Sequence, residues 1–76
     1  FNMTLKELPI GATASVKNVQ DSGDISKRLM EMGVVPGVSV RVVKTAPFGD
    51  PMEIRLLGYN LAIRQKEAAS VEIDGQ

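Results

Sequence analysis

The stretch from Asp24 to Val43, DISKRLMEMGVVPGVSVRVV, constrains this chain's fold more than any other. Ile25, Leu29 and Met32 recur at i, i+4 and i+7, which puts three apolar side chains on one helical face. Gly33 follows where a left-handed cap residue is wanted, and Pro36-Gly37 breaks any continuation of the helix. Val38, Val40 and Val42 then alternate with Ser39, Arg41 and Val43, which is the period of a half-buried strand. The spacing therefore predicts a short helix over 25–32 that drops onto a strand over 38–46 through a tight, fixed turn. A helix of that length does not hold alone in water, so the rest of the chain must pin its apolar face. Asp24 is the expected N-cap, because its carboxylate can accept an orphan backbone N–H and favours the positive helix end.

The remaining segments read as more strand. Thr4 and Glu7 have the spacing of a capping box, and Pro9 and Gly11 stop whatever begins there. A single turn over 5–8 is expected, with Leu5 and Leu8 closing one end of the core and Ile10 packed beside them. Ala12 to Val19 is a first strand with Ala12, Ala14 and Val16 inward. Asp21-Ser22-Gly23-Asp24 is a turn cluster. After the loop Pro47-Phe48-Gly49-Asp50-Pro51 comes a third strand over 52–57, with Met52, Ile54 and Leu56 on one face. Gly58 with Tyr59-Asn60 makes a tight reversal into a fourth strand that ends at Arg64. Residues 65–69 read as a polar corner or 3-10 turn, and 70–73 as the last strand, with Val71 and Ile73 inward. About five short strands and one small helix between the first two of them predict a mainly β, closed or nearly closed small barrel. Phe1-Asn2 before Met3 reads as a cloning remnant, so one domain is expected over 3–74.

Composition narrows the function. With 76 residues the chain buries only about 60% of the surface its unfolded form exposes, so its core must be closed and economical. It has no cysteine and no histidine, which removes disulfides, thiolate metal sites and the commonest general base near neutral pH. Without histidine, none of its serines has an obvious activator. No phosphate-cradling loop is present, and the glycines terminate elements instead. An enzyme is therefore not expected, and neither is a cofactor or a resident metal. Zero net charge argues against a nucleic-acid binder. No apolar run reaches the roughly 20 residues of a membrane helix, and no signal peptide is visible. Together these expectations describe a cytoplasmic protein.

A few side chains have no evident structural duty. Phe48 sits at a loop tip rich in proline and glycine, beside Pro47, where a large apolar group either folds back on the barrel or docks into another molecule. Met30 falls off the Ile25–Leu29–Met32 face and is either adaptable contact surface or edge-of-core packing. Tyr59 is placed to cap the barrel end with its hydroxyl in water, and is a further contact candidate. Lys27 and Arg28 fit a solvated helix face better than a contact with an acidic partner. Asp21 and Asp24 fit a turn and a cap better than a cation clip. Leu29, Met32, Gly33, Pro36, Gly37 and Gly58 are assigned structural duties.

These pieces, in this order, resemble the ferrous iron transport protein A family, FeoA. The resemblance rests on Arg28-Leu29, Met32-Gly33, Pro36-Gly37, Gly49-Asp50-Pro51, Gly58-Tyr59, Ala62-Ile63-Arg64, and Ala69 with Val71, together with the opening Leu5 to Gly11. It implies an SH3-like barrel. It further implies a non-enzymatic accessory protein of bacterial ferrous iron uptake that binds FeoB, a membrane transporter with a cytoplasmic GTP-binding domain. The same domain also occurs at the C-terminus of metal-dependent repressors, which implies the alternative of a metal-responsive regulatory domain binding a divalent cation. No catalytic residue follows from the resemblance. Self-association is left open by the exposed apolar candidates.

Overall fold

The computed structural model describes residues 3–20 and 23–74. The expectations placed on Phe1, Asn2, Asp21 and Ser22 lie outside them. The elements run β1 (Met3–Thr4), a 3-10 turn (Leu5–Glu7), β2 (Thr13–Val19), α1 (Asp24–Glu31), β3 (Ser39–Thr45), β4 (Met52–Leu56), β5 (Tyr59–Ile63), α2 (Gln65–Ala68) and β6 (Val71–Asp74). The strands form one sheet in the order β1-β6-β2-β3-β4-β5, and every pairing is antiparallel. Bulges between Val16 and Asn18 and between Val42 and Lys44 bend the long strands. The principal extents of 28, 27 and 25 Å are nearly equal, as a sheet curled around its own core requires.

The alternation read from the sequence decides what lies inside. Ala14 and Val16, Val40 and Val42, Met52, Ile54 and Leu56, Ile63, and Val71 and Ile73 are all buried. Leu5, Leu8, Leu29, Val34 and Ala68 complete the core. Burying side chains of this size stabilises by about 1.5–3 kcal/mol each, which is what a chain this short relies on.

Several expectations need correction. The sheet has six strands, because the two residues of β1 pair with β6 through Met3 and Ile73. Residues 65–68 form one turn of α-helix, not a 3-10 corner. Ile10 is 60% exposed and does not pack beside Leu5 and Leu8. Its neighbour Gly11 is bound through its N–H to the Val42 carbonyl at 2.7 Å, and this holds the loop outside the core. The N-cap of α1 is Gly23, not Asp24. Asp24 opens the first turn, where its charge still suits the helix end. Reversal into β5 occurs at Leu57-Gly58, so Tyr59 and Asn60 already belong to the strand.

The pivot from helix to strand is built as its sequence demands. The Val34 N–H binds the Leu29 carbonyl at 3.0 Å and the Gly33 N–H binds the Met30 carbonyl at 3.1 Å, the paired bonds of a Schellman cap. Gly33 carries φ +99°, a left-handed conformation that other residues adopt at a cost. Val35 to Val38 then closes a turn, with the Val38 N–H on the Val35 carbonyl at 3.1 Å. Pro36 and Gly37 fill its two central positions in the order a type II turn prefers, and Gly37 has φ +95°. Bonds of 2.8 Å from the Gly37 N–H to the Val16 carbonyl and from the Val16 N–H to the Val38 carbonyl tie this turn to β2.

Candidate partner-binding site

The four contact candidates do not meet in one place. Met30 and Tyr59 lie at the C-terminal end of α1, whereas Pro47 and Phe48 lie on the loop between β3 and β4. The register pairs Leu56 with Tyr59 at one end of the β4–β5 hairpin and Met52 with Ile63 at the other. At about 3.4 Å per residue the two ends are roughly 14 Å apart.

Leu57, which the sequence did not single out, completes the first cluster. It is 68% exposed, and it holds φ +51°, in the left-handed region where a leucine is strained. Two-residue hairpin turns with positive φ at both positions favour asparagine or aspartate before glycine, so Leu57-Gly58 departs from turn chemistry. Its Cδ1 lies over Gly33, where a Cβ would sit 2.7 Å away. Met30 is 49% exposed and its carbonyl accepts the Gly33 N–H at 3.1 Å, and Val35 adds further apolar surface. The Tyr59 hydroxyl is not in water alone: it donates to the Met32 carbonyl at the end of α1. That bond leaves the ring half-exposed and fixed in orientation. The signal for Leu57 was present in the sequence as two alternating strands separated by two residues, the first of them apolar.

Phe48 is 97% exposed, so it does not fold back on the barrel. Its loop is nonetheless well held. The Ala46 N–H binds the Pro51 carbonyl at 3.0 Å across the neck of the loop, and the Gly49 N–H binds the Ala46 carbonyl at 2.7 Å. From α2, the Gln65 side-chain amide donates to the Gly49 carbonyl and the Gln65 N–H donates to Asp50 Oδ1 at 3.1 Å. A shallow recess of about 290 Å³ lies at the base of the loop, walled by Ala46, Pro47, Pro51 and Ala62.

Two charged groups join α1 to α2. Arg28 Nη1 meets Glu67 Oε2 at 2.8 Å, and the Arg64 N–H binds Glu67 Oε1 at 2.8 Å. Glu67 is only 2% exposed, whereas the Arg28 side chain is 55% exposed, so Arg28 lies on the solvated face as expected and also fastens the helix through its guanidinium. Nothing in the sequence spacing tied residues 28 and 67 together. No three of the carboxylates gather into a cluster able to hold a metal ion among the described residues. Met30 and Met32 alone form a poor thioether site.

A curled antiparallel sheet closed by short helical turns, with its apolar outliers at hairpin tips, defines a small SH3-like β-barrel domain. The chain belongs to the FeoA family: the family model for the FeoA domain matches residues 3–74. It is 39% identical over 72 residues to an Fe(2+) transport protein A/Fe(2+) transporter FeoB fusion protein of Porphyromonas gingivalis, covering 95% of this chain and 8% of that one. It also matches the crystal structure of a zinc-complexed FeoA from Stenotrophomonas maltophilia, described as a prokaryotic SH3 domain protein, at 39% identity and a TM-score of 0.85. That match covers 95% of this chain and 89% of the other. A manganese-dependent transcriptional repressor shares the fold alone, at 13% identity and a TM-score of 0.87, over 99% of this chain and 42% of that one. The family is associated with ferrous iron transport.

Proposed function

We propose that this chain is a non-enzymatic cytoplasmic accessory protein of ferrous iron uptake that docks on the cytoplasmic part of an FeoB-type transporter. One observation carries the reading: in the Porphyromonas gingivalis relative an equivalent of almost the whole chain is joined to FeoB in one polypeptide. Tethering of that kind serves two units that act on each other, because it raises their effective concentration. No helix among the described residues is long and apolar enough to cross a membrane, so contact with a transporter falls to surface side chains.

Two surfaces support docking. Leu57, Met30 and Tyr59 present apolar area beside the end of α1, and Phe48 with Pro47 presents a second contact at the far end of the hairpin. Strain at a leucine that stays 68% exposed is the stronger pointer of the two, since sites of function are where such strain is retained. Calorimetric titration of the purified chain with the cytoplasmic domain of its cognate transporter is the test. Saturable binding weakened by Leu57→Asn or Phe48→Ser, with the fold intact, is the expected result. No binding between two folded partners would sink the proposal.

A further inference from the structure

One outward row of the sheet sets two arginines side by side, and neither forms an ion pair among the described residues. Antiparallel register sets Thr13 opposite Arg41, Arg41 opposite Arg55, and Arg55 opposite Asn60. Two guanidinium groups therefore stand side by side on neighbouring strands, an arrangement that costs stability where no anion intervenes. Arg55 is fixed by neutral groups: Nη1 binds Asn60 Oδ1 at 3.0 Å and Nη2 binds the Gly58 carbonyl at 3.3 Å. The Arg41 guanidinium forms no hydrogen bond or ion pair among the described residues. Glu53, two residues before Arg55 on β4, spends its carboxylate on Asn60 Nδ2 at 2.7 Å and on Lys44 at 3.8 Å, and pairs with neither arginine. Between the two arginines opens a recess of about 260 Å³ lined by Gly11, Val42, Val43 and Asn60.

We infer that this row is a docking site for an acidic segment of a protein partner, with Arg41 and Arg55 each receiving a carboxylate. Guanidinium forks pair with carboxylates in two-point fashion, and Arg55 is already oriented, so little freedom is lost there on binding. A free phosphate is the poorer occupant. Phosphate sites gather backbone N–H groups, and here the Gly11 N–H is spent on the Val42 carbonyl. The site adds a polar contact to the apolar surfaces above, and rests on the docking proposal only for the partner's identity.

The test needs no transporter. The chain is titrated with a short oligoglutamate peptide while the side-chain N–H resonances of its arginines are followed by NMR. Saturable shifts are expected at Arg41 and Arg55. Arg41→Gln or Arg55→Gln should each weaken binding about fivefold, as loss of one exposed charge pair implies. Lys17→Gln, an exposed charge elsewhere on β2, should leave it unchanged. Arg41→Gln should also keep or raise the melting temperature, which separates lost binding from lost fold. The inference is overturned by an absence of saturable shifts, by an equal loss in Lys17→Gln, or by inorganic phosphate saturating the same resonances as tightly as the peptide. Failure here leaves apolar docking on the transporter standing, and failure of that docking leaves the peptide result standing.

Discussion

Leu57 and Phe48 are both large apolar side chains carried on connections between strands, yet the barrel holds them in opposite ways. Leu57 is held through its own side chain, which covers Gly33 at the end of α1, and its neighbour Tyr59 is bonded to the Met32 carbonyl. Phe48 touches little, and its position comes from backbone and from Gln65 gripping Gly49 and Asp50. The first residue is exposed despite packing; the second is exposed because its loop is built to project it. Exposure alone therefore does not distinguish a contact surface woven into the core from one mounted upon it. Their coupling to stability does.

That comparison can be broken by substitution. Gly33→Val forces a β-branched residue to φ +99° and drives its Cβ against Leu57, so it should lose about 2–3 kcal/mol. In a domain this size that lowers the melting temperature by roughly 10 °C or more. A thermal melt within a few degrees of the parent would show that the α1 end is softer than described. Glu67→Ala removes both the Arg28 ion pair and the acceptor for the Arg64 N–H, and should lose roughly 1–3 kcal/mol in urea unfolding. The outward half of that pair is well exposed, so a value near the lower end is expected.

Leu57→Asn runs the other way. Asparagine tolerates positive φ, so the variant should gain about 0.5 kcal/mol and melt a few degrees higher, while docking weakens. A fall in stability would mean that the cover over Gly33 outweighs the backbone strain. Phe48→Ser should change stability by less than about 0.5 kcal/mol, because 97% of the residue already faces water. A larger loss by differential scanning calorimetry would place Phe48 in the core and remove it as a contact.

Most of the fold was legible because it rests on local rules. The apolar alternation of Met52, Ile54 and Leu56 put those side chains inside, and the Gly33 and Pro36-Gly37 signals placed the turns. Where reading failed, a distant partner had decided the outcome. Ile10 has the chemistry of a core residue, but the Gly11 bond to Val42 keeps its loop on the surface. Arg28 is exposed as its chemistry suggests, but its ion pair with the buried Glu67 at 2.8 Å could not be read from the sequence. Tyr59 was expected to keep its hydroxyl in water, but that hydroxyl finds the Met32 carbonyl.

By itself the sequence determined most of the elements, most of their inward faces and the helix-to-strand pivot over Asp24–Val43, because side-chain period and turn chemistry act within a few residues. Only the tertiary structure decided which exposed groups stand together. It parted Phe48 from Met30 and Tyr59 across the length of a hairpin, and added Leu57 to the end that Met30 and Tyr59 share. It set Arg41 opposite Arg55 through strand register. Register and hairpin length are properties of the whole closed sheet, so no local pattern in the chain could have announced those neighbours.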